Sequence, residues 1–172
     1  FLKLMIHEIK QIVYSDSITE TFLITKMSRL NRYTTMLINS FDVMKDGMDY
    51  DDYNTFRTTL APASGFQSAQ FRLIEIYCTR IKNLINQEGK KHISDQPSIE
   101  EYFEHIYWKD AGLNRKTGEK TLTLRQFEEK YLDRFISLAK KVKGKTIEEQ
   151  ILKIENPSNE LTQILREFDC LY

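Results

Sequence analysis

The sequence predicts an all-α protein, an elongated helical bundle with a smaller helical insertion. Three observations carry this expectation. Apolar residues recur at spacings of three and four through most of the chain, the period of one face of a helix. Serine or threonine stands three residues ahead of glutamate or glutamine where several such patterns begin, an arrangement that satisfies the first free amides of a helix. No segment alternates apolar with polar residues as a half-buried strand would, and the 3 prolines and 6 glycines fall mostly between the helical patterns.

Leu2, Met5, Ile6, Ile9, Ile12 and Val13 place a first amphipathic helix up to about Tyr14. Ser17 with Glu20 reads as the capping box of a second helix. That helix carries Phe22, Leu23, Met27, Leu30, Met36, Leu37, Phe41 and Met44, and is expected to run to about Gly47. Such length suits a bundle helix. Asp49, Asp51 and Asp52 open a third helix, since negative charge is favoured at a helix N-terminus. It ends before Pro62, which cannot continue a helix and biases Ala61 away from helical geometry. Ser64 with Gln67 is a further capping box, so a fourth helix is expected from about Phe66 to Ile85, with Phe71, Ile74, Cys78 and Ile81 on one face.

A polar surface loop follows from Asn86 to Gln96. Ser98 with Glu101, just after Pro97, starts a short aromatic helix through Trp108. Asp110 to Lys120 reads as an exposed loop, and a helix from about Thr123 to Val142 stops near Gly144. Thr146 with Glu149 caps one more short helix, broken at Asn156 and Pro157, and a final helix runs from Ser158 to the end. The organisation expected is a bundle core over residues 1–85, a small helical insertion over 86–157 and the start of a C-terminal bundle helix over 158–172. There is no internal repeat.

The 25 basic and 25 acidic residues cancel, which argues against a nucleic-acid or anionic-membrane partner, because either needs a basic excess on one face. No apolar run reaches membrane-spanning length and no secretory pattern is present, so the expected location is cytoplasmic. Cys78 and Cys170 both fall in helical patterns and read as buried, reduced thiols. Phe1 lies inside a helical pattern and Phe168 to Tyr172 carry no terminator, so both ends read as cut.

The corner between the third and fourth helices concentrates the candidate chemistry. Tyr53 and Arg57 are four apart and share a helix face. A guanidinium fork suits a carboxylate through two charge-assisted hydrogen bonds; spacing alone also allows a solvent-facing pair, or an ion pair of Arg57 with Asp51, Asp52 or a neighbouring helix. Ser64 and Gly65 offer a hydroxyl and closely approachable amides to an anion, or simply cap the next helix. Leu60, Phe56 and Phe66 are suited to wall an apolar pocket and equally to ordinary core packing. His7 falls off the apolar stripe of its helix, His92 sits in a polar loop and His105 at the edge of the aromatic helix; none forms a short metal-ligand motif. Glu100, Glu101 and Glu104 read as a solvated helix face. Nucleophile-triad and phosphate-loop patterns are absent.

The residues of this corner, Tyr53-Asn54-Thr55-Phe56-Arg57 with Leu60, then Pro62-Ala63-Ser64-Gly65-Phe66-Gln67-Ser68, Gln70-Phe71-Arg72 and Ile74-Glu75, closely resemble the signature of the tryptophan 2,3-dioxygenase family. A weaker match is Leu2-Lys3-Leu4 with His7-Glu8. The likeness is continuous from Phe1 to about Thr79; from Ile81 onward only helical character and approximate length fit. It implies a haem enzyme that opens the indole ring of L-tryptophan with dioxygen to give N-formylkynurenine, the first step of the kynurenine pathway, in a helical homotetramer. It also implies that Tyr53 and Arg57 hold the tryptophan carboxylate, that Leu60 lines the substrate pocket, and that Ser64 and Gly65 lie against the haem. Gln67, Gln70, Arg72 and Glu75 are read as supporting or helix–helix contacts. The family's distal histidine motif is expected before Phe1 and its iron-binding histidine after Tyr172, so the axial ligand is not expected within this chain. The competing reading is a non-catalytic, haem-free helical relative or fragment acting in assembly or amino-acid binding. Histidine motifs on the flanks of the intact protein, and Soret absorbance after haem addition, separate the two.

Overall fold

The computed structural model describes residues 1–59, 68–114 and 116–171, with the side chains of residues 43–45, 57, 58 and 171 outside that description. The described residues are all-α; two isolated bridges, Ile85 with Ile106 and Leu113 with Lys120, are the β pairing they contain. No helix among them is long and apolar enough to cross a membrane. The chain divides into two compact units, residues Phe1–Ala63 with Gln150–Tyr172, and residues Ser64–Glu149.

In the first unit, α1 (Leu2–Val13) turns Met5, Ile9, Ile12 and Val13 inward. They meet Leu23, Met27 and Leu30 of α2 (Glu20–Asn39), which also packs along α9 (Asn159–Leu171) through Leu161 and Phe168. Burying such side chains is the main stabilising term, roughly 1.5–3 kcal/mol for each large aliphatic one. Glu8 is also buried on this seam, where its carboxylate accepts hydrogen bonds from Lys26 Nζ at 2.8 Å and Arg29 Nη1 at 2.9 Å.

Two expectations for α2 are corrected. Its N-cap is Thr19, whose hydroxyl accepts the Phe22 amide at 3.3 Å, not Ser17. Glu20 does not reach back to close a capping box because its carboxylate accepts the Ser158 amide at 2.6 Å. Hydrogen bonding from Ser158 holds the Glu20 carboxyl below its ordinary pKa and ties the start of α2 to the start of α9. The helix also stops at Asn39 and does not run on to Gly47. Ser40 Oγ donates to the Leu37 carbonyl at 2.6 Å and the Phe41 amide to the Ile38 carbonyl at 2.9 Å, which tightens the last turn. A separate α3 (Asp42–Gly47) follows, then α4 (Tyr50–Thr59).

In the second unit, α5 (Ala69–Cys78) is capped by Ser68, whose hydroxyl accepts the Phe71 amide at 3.3 Å. Residues from Arg72 to Cys78 are all buried, as expected of a helix enclosed on every side. The expected continuation to Ile85 does not form. Thr79 and Arg80 turn extended because the Glu148 carboxylate captures the Thr79 hydroxyl at 2.6 Å and the Arg80 amide at 3.0 Å. A 3-10 turn, Ile81–Leu84, takes over.

α6 (Ile99–Glu104) starts at Ser98, whose hydroxyl accepts the Glu101 amide at 3.1 Å. The reciprocal half of that capping box is diverted, since Glu101 accepts from the Ser94 amide at 2.6 Å and hydroxyl at 2.9 Å. The aromatic segment then becomes a 3-10 helix, Tyr107–Gly112. α7 (Leu122–Val142), capped by Thr121, packs against α5 and α6. Trp108 meets Phe127 edge-on, centroids 5.5 Å apart, a favoured aromatic geometry. Gly144 at φ +80° ends this segment, a conformation that favours glycine. The Thr146–Glu149 capping box closes in both directions, at 3.3 Å and 3.1 Å, and begins α8 (Ile147–Ile151). Cys78 is buried as expected, but Cys170 is exposed, on the outer side of amphipathic α9.

Candidate functional site

The Asp49 carboxylate accepts the Asp52 amide at 2.8 Å, and the Tyr53 amide donates to the Asp49 carbonyl at 2.9 Å. These bonds start α4, whose acidic first turn holds Asp51 and Asp52 where the helix dipole favours them. The unbroken helix sets Tyr53 one turn ahead of Arg57. Tyr53 is 42 % exposed, Phe56 37 % and Tyr50 78 %. A short helix carrying three accessible aromatic rings is suited to contact something beyond its own core. The Arg57 side chain lies outside the described residues, as do Leu60, Ser64 and Gly65 with the rest of the expected corner.

The later part of the same motif is described. Arg72 Nη1 lies 2.8 Å from Glu75 Oε2 and donates to the Tyr107 hydroxyl at 2.8 Å. The Tyr107 hydroxyl in turn donates to Glu75 Oε1. The Arg72 guanidinium also sits 4.9 Å from the Phe71 ring centroid and 5.5 Å from that of Tyr107. Burial raises the Glu75 pKa, and the Tyr107 hydrogen bond and Arg72 charge oppose that rise. Burial, then the bond to Glu75, push the Tyr107 phenol up. The trio pins α5 to the 3-10 helix that follows α6. Tyr107 carries no sequence signal for this role, because its partners stand 32 and 35 residues away.

Burial, then the neighbouring Glu75 charge, drive the Cys78 thiol far above its ordinary pKa, so it is no nucleophile. His7 Nε2 lies 2.7 Å from Gln11 Nε2, His92 Nε2 is 3.4 Å from Glu88, and the His105 ring stacks on His92 with centroids 6.4 Å apart. Among the described residues no group of three or more His, Cys, Asp or Glu side chains is arranged to hold a metal ion.

The family model of tryptophan 2,3-dioxygenase matches residues 1–169. The chain belongs to the tryptophan 2,3-dioxygenase family. It is similar to tryptophan 2,3-dioxygenase of Rattus norvegicus, 30% identical over 185 residues covering 92% of this chain and 43% of the relative. The enzyme of that name from Mus musculus is 35% identical over 100 residues, 50% of this chain and 24% of the relative. That of Polaromonas naphthalenivorans (strain CJ2) is 35% identical over 78 residues, 44% of this chain and 27% of the relative. The chain thus spans less than half the length of these tryptophan 2,3-dioxygenases. No solved structure matches it. The run from Tyr53 to Glu75 falls inside the region matched by the tryptophan 2,3-dioxygenase model.

Proposed function

We propose that this chain forms part of a haem-dependent dioxygenase that converts L-tryptophan and dioxygen to N-formylkynurenine, the entry to the kynurenine pathway. The observation that carries the reading is the family match over residues 1–169, which encloses the whole Tyr53–Glu75 motif. In this reading Arg57 binds the tryptophan carboxylate through its guanidinium fork, and Tyr53, one turn earlier, supports it. Leu60 lines the indole side of the pocket, while Ser64 and Gly65 contact haem with a hydroxyl and backbone amides. Assembly as a homotetramer in the cytoplasm belongs to the same proposal.

Haem supplies the oxygen chemistry in such an enzyme; the protein supplies orientation and a dry pocket. The three histidines do not fit the iron: His7 bonds Gln11, His92 contacts Glu88, and His105 stacks on His92. An axial ligand must instead project freely into a cavity. The ligand is therefore assigned to none of them. The test is reconstitution with haem, followed by addition of L-tryptophan and oxygen. Appearance of formylkynurenine, lost in Arg57→Ala through a much higher KM, supports the reading. An Arg57→Ala enzyme with an unchanged KM removes Arg57 from the site.

A further inference from the structure

We propose that the second unit contains a binding site for a small carboxylic acid with a compact apolar body, separate from the residues assigned above to tryptophan. The site is a cavity of about 330 Å³, at the small end of the ~300–1,000 Å³ range of small-molecule clefts. Its apolar wall is formed by Ile76 of α5 and by Ala139 and Val142 of α7, all buried. Its polar rim carries Arg80, Lys82 and Lys143.

The charges decide the ligand class. Arg80 is paired: its Nε donates to Glu148 Oε1 at 3.0 Å and its Nη2 forms an ion pair with the same oxygen. Glu149, the one acidic side chain among the described lining residues, directs Oε2 at the Thr146 amide and hydroxyl, at 3.1 Å and 2.9 Å. Lys82 and Lys143 are exposed and carry no ion pair among the described residues. An apolar pocket rimmed by two uncommitted ammonium groups is complementary to a molecule with one hydrophobic end and one anionic end. A cation meets repulsion at this rim, and a neutral molecule forfeits the charge contribution.

The test is a titration of the isotopically labelled protein with 3-phenylpropionate and, separately, with 3-phenylpropan-1-ol, read as backbone-amide shifts by NMR. The expected result is saturable shifts centred on residues 76, 79–82, 98–99 and 142–143, with the acid bound about tenfold more tightly than the alcohol. Lys82→Glu with Lys143→Glu should abolish that preference. Lys82→Gln with Lys143→Gln should reduce it, and repeats the test with a smaller perturbation should the charge reversals disturb the fold. Absence of saturable shifts, shifts centred elsewhere, equal affinity for acid and alcohol, or an acid preference that survives both double variants would overturn the proposal.

Discussion

The Arg72 guanidinium lies 2.8 Å from the Glu75 carboxylate across one turn of α5, and both side chains are buried. Tyr107 completes the arrangement by accepting from the arginine and donating to the glutamate. Removing one partner of a buried pair leaves the other charge uncompensated. Glu75→Ala is therefore expected to lower unfolding stability by about 3–5 kcal/mol. Tyr107→Phe deletes only the hydroxyl and should cost about 1.5–3 kcal/mol, the range for hydrogen bonds to charged groups. Urea unfolding of the two variants checks both values. A Glu75→Ala protein as stable as the parent contradicts the structural role assigned to the trio.

The Glu8–Lys26 pair makes a comparable test in the first unit. Glu8→Leu takes the carboxylate from Lys26, which is 9 % exposed, and leaves its ammonium only the neutral Gln11 Oε1 acceptor, so it should cost up to about 3–5 kcal/mol. Adding Lys26→Met removes the stranded charge, so the double variant should regain at least half of the loss. A double variant no more stable than Glu8→Leu would show that the pair does more than compensate its own burial.

Glu148 predicts an acid-labile component of stability. Partial burial pushes its carboxyl up, but hydrogen bonds from Arg80 and Thr79 outweigh this and hold its pKa at about 2, against an ordinary 4.5. A carboxylate with a depressed folded pKa contributes stability that is fully present above the unfolded value and lost as pH falls through the folded one. Glu148 therefore withdraws its contribution between pH 4.5 and about 2. Glu75, whose pKa is raised, acts in the opposite sense, because its protonation favours the folded state. Thermal unfolding across that window should show a shallower acid loss in Glu148→Gln than in the parent. Equal slopes would contradict the assignment.

Local patterns in the sequence anticipate those elements whose determinants are themselves local. The Thr146–Glu149 box closes in both directions, and Ser98 caps α6 at the expected residue. Some expectations fail to a competing local bond, as where Ser40 and Phe41 close the last turn of α2; others fail where a distant residue intervenes. Ser158, 138 residues from Glu20, occupies the carboxylate that was to complete the Ser17 box. Glu148, 68 residues from Arg80, ends α5 a full turn or more before periodicity would. The Tyr107 contact with Arg72 and Glu75 is non-local in the same way, although the motif itself marked the arginine and glutamate as supporting contacts. For the candidate site, the spacing of Tyr53 and Arg57 is expressed directly as one turn of α4. Leu60, Ser64 and Gly65 belong to a corner outside the described residues.

The role of Arg57 as the carboxylate anchor is tested most directly by comparing tryptophan with tryptamine, which lacks the carboxylate, in the assembled haem enzyme and its Arg57→Ala variant. The parent is expected to prefer tryptophan strongly in kcat/KM, and Arg57→Ala to lose about 2–5 kcal/mol of that preference, the range for truncating one side of a hydrogen-bonded charge pair. An Arg57→Ala enzyme that discriminates between the two amines as well as the parent does would contradict it.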